Sequence, residues 1–197
     1  GLIGLTVLFG DLLAEEMERR QDLGARFIGV ENHVIAHGIR REKAMPKINL
    51  EAIPQSNATG YPSPFDRQVE GRWWRRLAPS GGLTKMGASH VVLKPGGWSS
   101  QRHWHDGEDE LVIMLSGEAV LIEDDGEAVM RAGDVAAWAA GAKNGHHLVN
   151  RSESDCVFIA ISAGERSSGG YSDIDMTFDE NGYYHKDGRP YPATRLI

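Results

Sequence analysis

Cysteine is nearly absent from this chain: its 197 residues contain one, Cys156. A lone cysteine excludes an internal disulfide and favours a reducing compartment. It sits in the strand-like run DCVFIAIS, where it reads as a buried, inert thiol rather than a nucleophile. Long apolar runs are missing too, and none approaches the roughly 20 residues needed to span a bilayer. Residues 1–9, GLIGLTVLF, are apolar but short, follow no basic segment and meet Asp11 at once, so no signal peptide is read there and a cytoplasmic location is expected. Basic charge is the scarcer sign, 21 Lys and Arg against 28 Asp and Glu, for a net charge of −7. That removes any global attraction to nucleic acid or to an anionic membrane. Arg72-Trp73-Trp74-Arg75-Arg76 has the mixed composition used to stack bases, but the chain's acidity favours a barrel-edge or interface segment. A small-molecule partner is the default expectation.

Glycine, by contrast, is plentiful at 24 residues, which suits an all-β fold with many tight turns. Residues 1–44 read as an N-terminal extension. Within it, DLLAEEMERRQDLG (11–24) looks like a short helix from Asp11 to Gly24 with an apolar stripe at Leu12, Leu13, Met17 and Leu23. His33 and His37 are four apart but lack a third ligand nearby, and read as polar surface. From residue 45 the chain is extended and turn-rich, with Pro46, Pro54, Pro62 and Pro64. Short β-type runs then dominate: 89–95, 110–117, 118–124, 126–133, 134–140 and 155–162, separated by glycine-containing turns. Such spacing indicates a sandwich or barrel over 45–197.

The chemistry concentrates in GWSSQRHWHDGEDELVIMLSG (97–117). Residues two apart on a strand share a face, so His103 and His105 present both imidazoles together. The glycine and acids of HDGEDE let the chain turn, so that Glu110 begins the next strand beside them. Two imidazoles and a carboxylate suit a divalent transition metal such as Fe, Mn, Ni or Zn. A fourth ligand is expected from 133–150, where His146 and His147 compete. Gln101 shares the ligand face and is a candidate for orienting a ligand or bound water. Arg102 would reach a substrate carboxylate only from a bulged strand. Met114 and Trp138 are candidates for the pocket wall, and so for substrate contact.

These segments resemble the paired motifs of the cupin superfamily. Gly97, His103, His105, Glu110 and Gly117 fill every fixed place of the first motif. Gly133, Gly141, His146 and Asn150 match the second, with Ala139 in place of its proline and a longer gap before His146. The spacing to Asn150 favours His146 over His147. A closer similarity, through SSQRHWH, GHHLVNRS and YSDIDM…YHKDGRPY, is to small single-domain bacterial cupins. The resemblance implies a single antiparallel jelly-roll barrel with the metal inside, commonly as a homodimer. A metal with open positions in a largely apolar pocket leads to the expectation of a metal-dependent enzyme on a small oxygenated substrate, of dioxygenase, isomerase or decarboxylase/lyase type. The alternative is a non-catalytic module that binds a sugar or organic acid; the extension is short and not basic, which disfavours an attached DNA-binding domain.

Overall fold

Burial alternates along residues 110–115, an almost wholly apolar run, and the computed structural model of the protein buries one face of it. Glu110, Val112 and Met114 are buried, while Leu111 and Ile113 on the opposite face are half-buried, as the pleat requires. The structure describes residues 47–192. The helix expected over 11–24, the His33/His37 pair and the boundary near residue 44 lie outside the described residues.

The strands are β1 (Arg72–Arg76), β2 (Gly87–Leu93), β3 (His103–Ser116), β4 (Glu118–Glu123), β5 (Gly126–Arg131), β6 (Val135–Trp138), β7 (His147–Val149), β8 (Cys156–Tyr171), β9 (Thr177–Asp179) and β10 (Gly182–Tyr184). One short helix, α1 (Leu77–Ser80), follows β1. All pairings between these strands are antiparallel. The larger sheet has the order β1-β2-β8-β3-β6, with β9 on β8 and β10 on β9; the smaller is β5-β4-β7. This is the mostly β, antiparallel architecture expected. Among the described residues no helix is long and apolar enough to cross a membrane.

Two clusters hold the fold. Val91, Leu93, Val112, Met114, Leu121, Met130, Leu148 and Phe158 draw on both sheets and form the main core. Tyr61, Val69, Tyr171, Met176 and Phe178 form a second. Fully burying an aliphatic or aromatic side chain contributes roughly 1.5–3 kcal/mol. Arg72 is also fully buried, donating from Nη1 to the Ser99 carbonyl at 2.9 Å, and burial lowers its pKa to about 9.

The turn expected in HDGEDE is not formed: β3 runs unbroken from His103 to Ser116. The extra length is absorbed by a bulge. His105 stands opposite Gly169, Gly107 opposite Arg166 and Glu108 opposite Gly164, with register shifts on either side of Gly107. A bulge advances the side-chain alternation by one residue, so Glu108 and Glu110 face inward as His103 and His105 do. The partner strand comes close enough that only glycine fits. A Cβ at Gly164 would lie 2.1 Å from the Gly107 carbonyl, and one at Gly169 would lie 1.9 Å from the Trp104 carbonyl and 2.7 Å from the Phe178 ring. Gly169→Ala is therefore expected to cost about 3 kcal/mol through overpacking, lowering Tm by roughly 6–12 °C. An unchanged melting curve would show that this close approach is not required.

Candidate metal centre

The bulge and one strand crossing assemble the site. His103 and His105 sit on the inner face of β3, and Glu110 joins them after the bulge. The ligating atoms of these three buried residues lie within 4.8 Å of one another. His146 arrives from the chain entering β7. It forms an isolated bridge with His103, His103 N donating to the His146 carbonyl at 3.2 Å and His146 N to the His103 carbonyl at 2.9 Å. That bridge spans the edge where the two sheets meet. The His146 Nε2 lies 2.7 Å from Glu110 Oε2, and His105 Nε2 lies 3.4 Å from the same oxygen.

Two of the imidazoles are hydrogen-bonded from the far side, and the third has a carboxylate there. His103 Nδ1 is 3.0 Å from the Gln101 carbonyl and 3.2 Å from Ser100 Oγ. His146 Nδ1 is 3.0 Å from the Asn144 carbonyl, and His105 Nδ1 is 3.2 Å from Glu108 Oε2. A carbonyl can only accept, so Nδ1 of His103 and of His146 carries a proton; His103 Nε2 keeps its lone pair, while His146 Nε2 is within hydrogen-bond reach of Glu110 Oε2. The rings are also walled: His103 stacks on Tyr171 with centroids 5.8 Å apart, and His105 meets Phe178 edge-on at 5.3 Å. Trp138, opposite Glu110 in the β3–β6 register, stacks on His146 at 3.8 Å and 6°. It is held there by donating from Nε1 to Glu123 at 2.6 Å.

Electrostatics follow from placing these groups out of water. Burial lowers His103 to about 3. Burial pulls His105 down as well, but the Glu110 and Glu108 carboxylates outweigh it and raise it to about 10. Burial would raise Glu110, yet the neighbouring imidazoles, His105 first, hold it well below the usual carboxylate range. Glu108, which has less compensation, is raised by burial. The set fits a divalent cation. His103 Nε2 is buried with no hydrogen-bond partner, and a buried orphan of this kind is costly. It faces a site whose donors, imidazole nitrogen and carboxylate oxygen, are those of transition-metal centres.

A small cavity, open at its mouth, borders the cradle; Val112, Trp138, Leu148, Phe158, Ser99 and Ser100 form much of its wall. Trp138 is one of the lining residues. Gln101, Arg102 and Met114 do not line it. Gln101 donates from Nε2 to the Phe65 carbonyl at 2.9 Å, tying down the segment before β1, while its own carbonyl orients His103. Arg102 faces outward and is shared by Asp173, Asp124 and the Gly145 carbonyl. Met114 belongs to the main core. His147 borders the cavity, but its Nδ1 is committed to the Ser100 carbonyl at 2.9 Å and its ring meets Trp98 edge-on. Sequence reasoning missed Glu108, Ser100 and Glu123. Counting back two residues from Glu110 would have put Glu108 on the ligand face; nothing local marked the other two.

The structure is thus a two-sheet antiparallel fold with two histidines and a glutamate on one inner strand, faced by a third histidine across the sheet edge, a set that could hold a metal ion. Residues 89–162 match the family model described as Cupin domain. A sugar phosphate isomerase from a cupin superfamily, from Silicibacter pomeroyi, is 37% identical, and the match covers 77% of this chain and 100% of that one with a TM-score of 0.71. The chain belongs to the cupin superfamily. The polyketide cyclase RemF from Streptomyces resistomycificus shares the fold, at 16% identity and a TM-score of 0.55 over 66% of this chain and 87% of that one. The comparison with curated proteins gives no match.

Proposed function

We propose that His103, His105, Glu110 and His146 hold a divalent transition metal, and that the protein is a metal-dependent enzyme acting on a small oxygenated compound by isomerase-type chemistry. The observation that carries the metal is the convergence on Glu110. Its Oε2 takes the Nε2 atoms of His105 and His146 at 3.4 and 2.7 Å, and His103 Nε2 is left buried without a partner beside it. A bound divalent ion supplies Lewis acidity, polarising a carbonyl or enol oxygen. The chain's own contribution is positional. The three imidazoles have partners behind them, Val112, Leu148 and Phe158 receive an apolar remainder, and the Trp138 ring closes one side.

Isomerisation is preferred to the oxygenase and decarboxylase readings because the 37% identical relative is described as a sugar phosphate isomerase. The phosphate does not carry over. The residues lining this cavity include no lysine or arginine, and the nearest arginine in sequence, Arg102, is already bonded to two aspartates. An unphosphorylated hydroxy-carbonyl compound is the better match. Elemental analysis of the purified protein, followed by solvent deuterium exchange into hydroxy-aldehydes and hydroxy-ketones read by NMR, tests this. Deuterium is expected at the carbon next to the carbonyl in unphosphorylated compounds and much less in phosphorylated ones. Metal-free protein as purified, or exchange confined to phosphorylated compounds, sinks the reading. Tight binding with no exchange supports the non-catalytic alternative.

A further inference from the structure

Glu108 has no place in the ligand set, yet it is a carboxylate only 3% exposed, on the inner face of β3. It is there because of the bulge; regular alternation from His105 would have turned it outward. Its Oε2 lies 3.2 Å from His105 Nδ1, the ring nitrogen that points away from Glu110, an ion-pair contact in which neither atom has a hydrogen-bond partner. The other two imidazoles have neutral carbonyls at the same position, those of Gln101 and Asn144. His105 alone is backed by a charge. Glu108 is not among the residues lining the cavity, so it does not meet substrate.

We infer that Glu108 is a positioning residue for the metal: it fixes the Nδ1–H tautomer of His105, makes that ring the strongest nitrogen donor, and supplies the second negative charge that balances a divalent ion. This rests on the metal reading above. With Glu110 as the only carboxylate, a divalent ion in this buried site would leave one uncompensated positive charge, which is costly out of water. Glu108 cancels it without occupying a coordination position. Carboxylates in this relation to a ligating histidine commonly change metal affinity about 10–100-fold.

The test compares wild type, Glu108→Gln and Glu108→Ala. Zn(II) affinity is measured by chelator competition, and Co(II) is used for electronic absorption. Glutamine keeps the size and an acceptor but loses the charge, so about a tenfold loss is expected; alanine loses both, and about a hundredfold is expected. The Co(II) bands should shift in each variant, a change that general loosening with intact ligation would not produce. Circular dichroism of the metal-free variants checks folding. In Zn(II)-loaded wild type, NMR should show a slowly exchanging, far-downfield His105 Nδ1–H, which keeps the idea testable if the variants do not fold. Equal affinity and unchanged bands in Glu108→Gln, or no such proton in wild type, overturn this role alone. Wild type that takes up neither metal overturns the metal reading and this role with it.

Discussion

Glu110→Gln is expected to lower metal affinity by about two orders of magnitude, with His103→Ala and His146→Ala close behind. If a tightly held divalent ion contributes about 10–16 kcal/mol spread over four protein ligands, each ligand is worth about 3 kcal/mol, or roughly a hundredfold. Glu110 is placed for the largest share. It is the carboxylate among the proposed ligands, and its Oε2 is the atom on which the His105 and His146 rings converge. His147→Ala should change affinity by no more than a few-fold, since its Nδ1 is spent on the Ser100 carbonyl and its ring packs on Trp98. Met114→Leu, a core substitution of similar volume, should be silent for metal. Chelator competition on purified variants reads all of these. Full affinity in His146→Ala with loss in His147→Ala would reverse the assignment of the fourth ligand.

Metal affinity should also climb steeply with pH. In the metal-free protein His105 is held protonated up to about 10: burial pulls it down, but Glu110 and Glu108 prevail. Ligation requires the neutral ring, so each ion bound near neutrality expels about one proton from this site. Apparent affinity should then rise about tenfold per pH unit, levelling as pH approaches the His105 value. The metal-free fold should respond in the opposite sense. A histidine whose folded pKa is raised above its unfolded value of about 6.5 contributes stability that is fully present below that value. The contribution is lost as pH rises through about 10. Calorimetry in buffers of different ionisation enthalpy counts the proton, and thermal melts of metal-free protein follow the stability. A flat affinity between about pH 6 and pH 9 would contradict the arrangement of His105 between two carboxylates.

The clustering of the candidate ligands was legible in the sequence because it obeys the short-range rule of a strand. His103 and His105 are two apart, and Glu110 continues an alternation that also buries Val112 and Met114. What lies between them was not legible. The segment 106–109 is polar and contains glycine, so it reads as a turn, whereas β8 pairs with Gly107, Glu108 and Asp109 and leaves Asp106 in a bulge. That pairing is set by glycines some 60 residues away in sequence, Gly164 and Gly169, whose value lies in an approach no local pattern reveals. Gln101 shows the same limit. It is buried on the expected strand approach, yet its amide answers to the Phe65 carbonyl, a contact across 36 positions. Trp138 was read as pocket wall, but its stacking on His146 and its anchor at Glu123 depend on tertiary placement.

The back wall of the cradle comes from far downstream. His103 rests against Tyr171 and His105 against Phe178, and β3 is paired along β8 as far as Tyr171. A chain emerging from its N-terminus presents the ligands of β3 long before the rings and strand that hold them. The order of synthesis therefore makes this site one of the last parts of the described chain to be finished.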